Sequence, residues 1–189
     1  MKIVFVLLSD GFEEIESITP VDLLRRAGIK VYTVSMNESQ EVIGARGIKV
    51  IADLQYVDIK LDLLPDAIFC PGGLNGSINL SKHSMVKDLL LECKKHHKII
   101  AAICAAPIIV FSPLGFLDGK QFTCFPDMLH SEYQAKDADV SGYQNVPVVQ
   151  DGNLITSQGA GTASNLAFKL IEILESKERS DKVKSETIY

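Results

Sequence analysis

The chain alternates between short apolar runs without a period and longer stretches in which apolar residues recur every three to four positions. Ile3-Val4-Phe5-Val6-Leu7-Leu8 is of the first kind. Too short for a helix and rich in β-branched residues, it predicts a strand over 2–8 buried on both faces. Ser9-Asp10-Gly11 reads as the turn after it. From Glu13 to Ala27 the pattern predicts a helix, with Ile15, Ile18, Leu23 and Leu24 as apolar positions and Gly28 as the stop signal. Pro20 lies inside that helix, where its ring crowds the Glu16 carbonyl, and it predicts a kink. Strands are predicted at 30–36 and 66–70. Between them, 41–44 and 48–52 read as a hairpin around Arg46-Gly47, and the strand ending at Cys70 runs into Pro71-Gly72-Gly73. Ser84 to Lys95 repeats Val86, Leu89, Leu90 and Cys93 at helical spacing, and another buried strand follows at 98–103.

Beyond Phe111 a strand is predicted at 121–124, and the polar stretch 126–145 is left without an element. Residues 146–150 and 154–157 form a hairpin around Asp151-Gly152-Asn153. A last helix runs from Thr162 to Lys177 on the stripe Ala163, Leu166, Ala167, Leu170, Ile171 and Leu174. Residues 1–177 are expected to form one domain, with 178–189 a charged tail, either a solvated helix or a frayed end. Strands alternating with helices predict an α/β sandwich around a mainly parallel sheet. Ligands of such sheets bind beyond the carboxyl ends of the strands. There the loop 9–16, Pro71-Gly72-Gly73, the turn after residue 103 and the turn near Phe125 gather.

Composition narrows the field. With 189 residues, 47% hydrophobic and 23% charged, the chain can bury an ordinary globular core. A formal net charge of −5 argues against a nucleic-acid or anionic-membrane face. No run approaches the ~18 apolar residues of a membrane span. The apolar start leads directly into Asp10-Gly11-Phe12-Glu13-Glu14 rather than a cleavage-type segment. The four cysteines have irregular spacing and no CxxC pair, and no histidine has metal-ligand spacing. No metal or cofactor is expected. Reduced thiols and a cytoplasmic location are.

The chemistry centres on Ile99 to Phe111. Cys104 falls at the junction between a buried strand and a segment of helix formers with Pro107 in its first turn. Small residues, Ala102 and Ala106, stand two positions away on each side. That is the steric pattern of a nucleophile elbow, and a helix N-terminus there would lower the thiol pKa. The same stretch also fits a buried core cysteine. Gly72 and Gly73 either end a strand or present backbone N–H groups which, with that of Ala105, would form an oxyanion hole. Glu13, Glu14 and Glu16 suit a first helical turn. Glu13 and Glu16 share a face, and one of them beside a thiolate would keep its proton and act as a donor or shuttle.

Glu13-Glu14-Ile15-Glu16, Leu24-Arg25-Arg26-Ala27-Gly28-Ile29, Pro71-Gly72-Gly73, Ala101 to Pro107 and Thr156 to Thr162 together resemble the ThiJ/PfpI superfamily. The resemblance lies with the branch of the Parkinson-disease protein deglycase and its bacterial ThiJ-type relatives. It covers residues 1–177 in order. It implies a flavodoxin-like three-layer α/β/α sandwich, a homodimer, and an oxidation-prone elbow cysteine. Cys104 then corresponds to the nucleophile and Glu16 to its protonated carboxyl partner. Gly72, Gly73 and Ala105 correspond to the oxyanion-side backbone, and Arg26 and Arg46 to basic residues near the site and the dimer interface. Relatives with a fuller triad place a histidine where this chain has Phe125. That weakens a peptidase reading and leaves Glu16 as the obvious acid/base, with His130 either a substitute or a surface histidine. Cys124 is expected to face away from Cys104 by strand alternation. The activity implied is a cofactor-free glyoxalase or deglycase acting on methylglyoxal-type dicarbonyls or glycated adducts. The competing reading is a redox sensor or stress chaperone switched by oxidation of Cys104 to a sulfinate.

Overall fold

A computed structural model describes residues 1–189. Its elements are β1 (Ile3–Leu8), α1 (Glu14–Arg26), β2 (Lys30–Ser35), β3 (Glu41–Ile43), β4 (Lys49–Ile51), β5 (Leu54–Gln55) and β6 (Ala67–Cys70). There follow α2 (Leu74–Lys82), α3 (Ser84–Lys95), β7 (Ile99–Ile103), β8 (Val148–Asp151), β9 (Leu154–Ser157), α4 (Ala163–Leu174) and α5 (Lys177–Glu186). Seven strands form one sheet in the order β5-β2-β1-β6-β7-β9-β8, parallel except for the edge strand β8. β3 and β4 pair separately as an antiparallel hairpin. The mainly parallel α/β architecture read from the sequence is the one observed. No helix is long and apolar enough to cross a membrane.

Alternation along the strands feeds two cores, one on each face of the sheet. Phe5, Leu7, Ile100 and Ala102 join α3 and the segment 105–117 on one face. Val4, Val6, Leu8, Ala101 and Ile103 join α1, α4 and Val183 of α5 on the other. Helices on both faces explain why the central strands read as continuous apolar runs.

Several expectations are corrected. α1 spans Pro20 as one helix, but its apolar face differs from the one predicted: Ile15 and Ile18 are 54% and 41% exposed, while Glu14, Glu16 and Ser17 are buried. Residues 121–124 form no sheet strand. Phe122 makes a single bridge to Tyr143, because β9 already takes the place beside β7. After Cys104 the chain makes a five-residue π-helical turn, Pro107–Phe111, and a short 3₁₀ turn, rather than a regular helix. The C-terminal tail is neither frayed nor fully solvated. Ser176 caps a new helix by accepting the Arg179 N–H, Val183 is fully buried, and Arg179 donates to the carbonyls of Ala27 (2.9 Å) and Arg26.

Candidate active site

Cys104 directly follows β7 in a left-handed backbone conformation, φ 63°, which is uncommon for a residue with a side chain and clusters at functional positions. Two main-chain bonds hold it there: its N–H donates to the Ser157 carbonyl (3.0 Å), and its carbonyl accepts from Phe125 N–H (2.9 Å). The elbow therefore turns the side chain out of the strand register, and Cys104 is half-buried while Cys70, Cys93 and Cys124 are buried. Cys124 is buried in the core beneath α3, against which Cys104 also packs, and since residues 121–124 form no sheet strand, strand alternation does not set its direction.

Glu16 reaches this point from the first turn of α1 and is only 2% exposed. Glu13 is the helix cap, its carboxylate accepting the Glu16 N–H at 2.8 Å, so of the two glutamates on that face Glu16 is the one directed inward. Gly72 donates its N–H to Glu16 Oε2 at 3.0 Å. A Cβ on Gly72 would fall 2.2 Å from that oxygen and 2.5 Å from Cys104 Cβ, so the missing side chain is what lets the two residues meet. Gly73, at φ 84°, would place a Cβ 2.2 Å from the Gly11 carbonyl, a position only glycine fills.

The three backbone groups predicted for an oxyanion hole divide between the partners. The N–H groups of Gly73 and Ala105 are directed at the Cys104 sulfur. Gly72 N–H is committed to Glu16, as is Ala160 N–H. Ala160 carried no role in the sequence reading, although it lies within the matched stretch Thr156 to Thr162.

Burial raises both acids. Glu16 is lifted to about 7, chiefly by desolvation, with its contacts to Cys104, Gly72 and Ala160 opposing. The Cys104 thiol is pushed up to about 12, first by burial and then by the Glu16 charge. This is the opposite of the predicted lowering: the N–H groups of Gly73 and Ala105 do lower the thiol, but burial and the Glu16 charge outweigh them. The pair therefore holds a single negative charge over a wide pH range and shares the remaining proton.

The other predicted residues fall in different places. Phe125 stands at the site, 43% exposed. His130 is exposed, five residues further on at φ 61°, with its N–H bonded to Gln134 Oε1. Arg46 lies on the β3–β4 loop and donates its backbone N–H to Glu14 Oε1 at 2.7 Å, its side chain exposed. Arg26 is not at the site within this chain. It pairs with Asp22 (2.7 Å) at the far end of α1, about 15 Å along the axis from Glu16 at ~1.5 Å per residue. Glu14, buried beneath Gly44 with Oε2 unpartnered, is a site neighbour to which the sequence reading gave no role of its own.

Comparison with known proteins identifies relatives over nearly the whole chain. The family model "DJ-1/PfpI family" matches residues 1–173. The chain is 39% identical over 185 residues to protein dj-1beta of Drosophila melanogaster, covering 96% of this chain and 94% of that protein. It is 31% identical over 179 residues to the glutathione-independent glyoxalase DJR-1.2 of Caenorhabditis elegans, covering 93% and 90%. A solved structure of Toxoplasma gondii DJ-1, oxidized, superposes with a TM-score of 0.93 at 30% identity over 100% of this chain and 99% of that one.

Proposed function

The chain belongs to the DJ-1/PfpI family, and from that premise we propose that it is a cysteine-dependent, cofactor-free enzyme of carbonyl and oxidative stress defence. Its substrates are methylglyoxal-type 2-oxoaldehydes or their protein adducts. The observation that carries this reading is the Cys104–Glu16 pair, a nucleophile at an elbow beside a buried carboxyl whose pKa is raised to about 7. The C. elegans relative named as a glutathione-independent glyoxalase supports the same class of chemistry.

Each group has one task. Cys104 sulfur adds to the aldehyde carbon, forming a C–S bond while the carbonyl oxygen takes a proton, and the result is a hemithioacetal. The N–H groups of Gly73 and Ala105 would steady the developing oxyanion. Glu16 removes the proton on the former aldehyde carbon and returns it to the neighbouring carbonyl carbon through an enediol, leaving a 2-hydroxy thioester. Water hydrolyses the thioester, so that one 2-oxoaldehyde and one water give one 2-hydroxy acid and the free thiol.

The homodimer implied by the resemblance is part of the proposal. Ile15 and Ile18 of α1 and Ile43, Ile48 and Ile51 of the β3–β4 hairpin are exposed, and the hairpin is tied to the start of α1 through Gly11 and Ala45. An apolar patch of this kind suits a subunit interface. Arg26 and Arg46 would then serve the interface.

A second reading has its own support. The N–H groups that face the sulfur would also hold the oxygens of a sulfinate, formed from the thiolate and two molecules of peroxide with release of two waters. The T. gondii relative was solved oxidized. The two readings separate on lactate formed from methylglyoxal without glutathione or oxidant: Cys104-dependent lactate supports the enzyme. Equal inactivity of wild type and Cys104→Ala leaves redox sensing as the account.

A further inference from the structure

The enzymatic reading above leaves open which 2-oxoaldehyde the site prefers, and Phe125 bears on that choice. The Phe125 backbone is fixed to the reacting residue, its N–H donating to the Cys104 carbonyl at 2.9 Å. The residue is 43% exposed, and none of the aromatic pairs of the fold includes its ring.

Gly159 shows what the ring faces. A Cβ built there would meet only two groups, Phe125 Cδ2 at 3.6 Å and Glu16 Oε1 at 3.8 Å. The ring edge and the carboxyl oxygen therefore border one small space, kept open because residue 159 has no side chain. Gly159 is extended, φ 169°, so its backbone does not require glycine. The second carboxyl oxygen, Oε2, is turned to Gly72 N–H, which leaves Oε1 as the one nearer this space.

We infer that Phe125 is a specificity-determining residue that packs against the substituent on the ketone carbon, so that the site favours 2-oxoaldehydes with an aryl or bulky aliphatic group over methylglyoxal. With the aldehyde carbon on Cys104 and the adjoining carbonyl toward Glu16, the substituent extends beside the ring. Ring-to-ring contact and removal of apolar surface from water both favour an aryl group there. This inference rests on the proposed dicarbonyl activity.

The test is the ratio of kcat/KM for phenylglyoxal to that for methylglyoxal, measured without glutathione in wild type, Phe125→Leu, Phe125→Ala and Gly159→Ala. The ratio is expected to fall about tenfold in Phe125→Ala, chiefly through KM for phenylglyoxal, and by less in Phe125→Leu, which keeps apolar bulk. Gly159→Ala places a methyl in the shared space and should also lower the ratio. An unchanged ratio in Phe125→Ala, or a parallel loss on both substrates across the variants, would overturn the role of Phe125 while the dicarbonyl activity stands. No Cys104-dependent turnover of either substrate by wild type would overturn both.

Discussion

Cys104 and Glu16 come from segments 88 residues apart in the chain, yet they flank one point. A Cβ on Gly72 would sit 2.5 Å from the Cβ of the first and 2.2 Å from a carboxyl oxygen of the second. The site is thus built by subtraction. Two residues beyond β6 the chain has no side chain, at Gly72, and a thiol and a carboxyl occupy the space, each with its own pair of backbone N–H groups.

The pair sets a pH dependence. Glu16 is raised to about 7 and the thiol to about 12, so the first proton leaves the pair near neutrality and the second far above it. kcat/KM for methylglyoxal is expected to rise through pH 7 and level off above. Glu16→Gln should remove that limb and leave one set by the thiol alone, above the ordinary cysteine value of ~8.5 because burial persists. A wild-type profile flat from pH 5 to 8 would contradict the shared proton.

Gly72→Ala strikes both members of the pair at once. Its methyl must displace either the Glu16 carboxyl or Cys104. A loss of at least about a hundredfold in lactate formation is expected, comparable with losing one preorganised catalytic interaction. Circular dichroism and the reactivity of Cys104 toward a thiol reagent would separate loss of the site from loss of the fold.

Glu16 also costs stability. Between its ordinary value of 4.5 and about 7, the folded carboxyl keeps a proton that the unfolded one has released. The folded state binds more protons there, so its stability falls as pH rises through that window. The loss by pH 8 is of the order of ~1–3 kcal/mol. Urea denaturation should find Glu16→Gln more stable than wild type by about that amount at pH 8, with the difference closing toward pH 4.

The docked C-terminal helix gives a test away from the site. Val183 is fully buried against the core that includes α4, and Val183→Ala should destabilise by about 1–2 kcal/mol. Unchanged stability would mean that α5 is loosely held. If the exposed isoleucines form the dimer surface, Ile51→Lys, at a residue 67% exposed, should shift sedimentation from dimer toward monomer. A monomeric wild type would remove that part of the proposal.

Much of this could be read from the sequence because period and chemistry agreed. Unperiodic β-branched runs predicted the parallel strands, and Val86, Leu89, Leu90 and Cys93 predicted α3 over its observed range. α2 left no such signal. Its inward face is made by Gly76, Ser77 and Leu80, and Gly76 packs so closely that a Cβ would lie 2.7 Å from Phe12 N. Small residues take the place of an apolar stripe. In α1 the pattern misled, because buried glutamates and exposed isoleucines reverse the usual amphipathic order. That reversal coincides with the site and the proposed interface. The predicted lowering of the Cys104 thiol failed for a different reason: local sequence does not reveal how deeply the elbow is buried or that a glutamate 88 residues away faces it. Ala160 supplies only a backbone N–H to Glu16, a role independent of its side chain.

The most direct test of the paired mechanism is to follow wild type, Cys104→Ala and Glu16→Gln with methylglyoxal and no glutathione, measuring lactate by NMR and the Cys104 adduct by intact mass. Wild type should form lactate, and Cys104→Ala should form neither lactate nor adduct. Glu16→Gln should accumulate the Cys104 adduct while lactate falls at least about a hundredfold. Lactate formed by Glu16→Gln at the wild-type rate, or by Cys104→Ala at any comparable rate, would contradict the account.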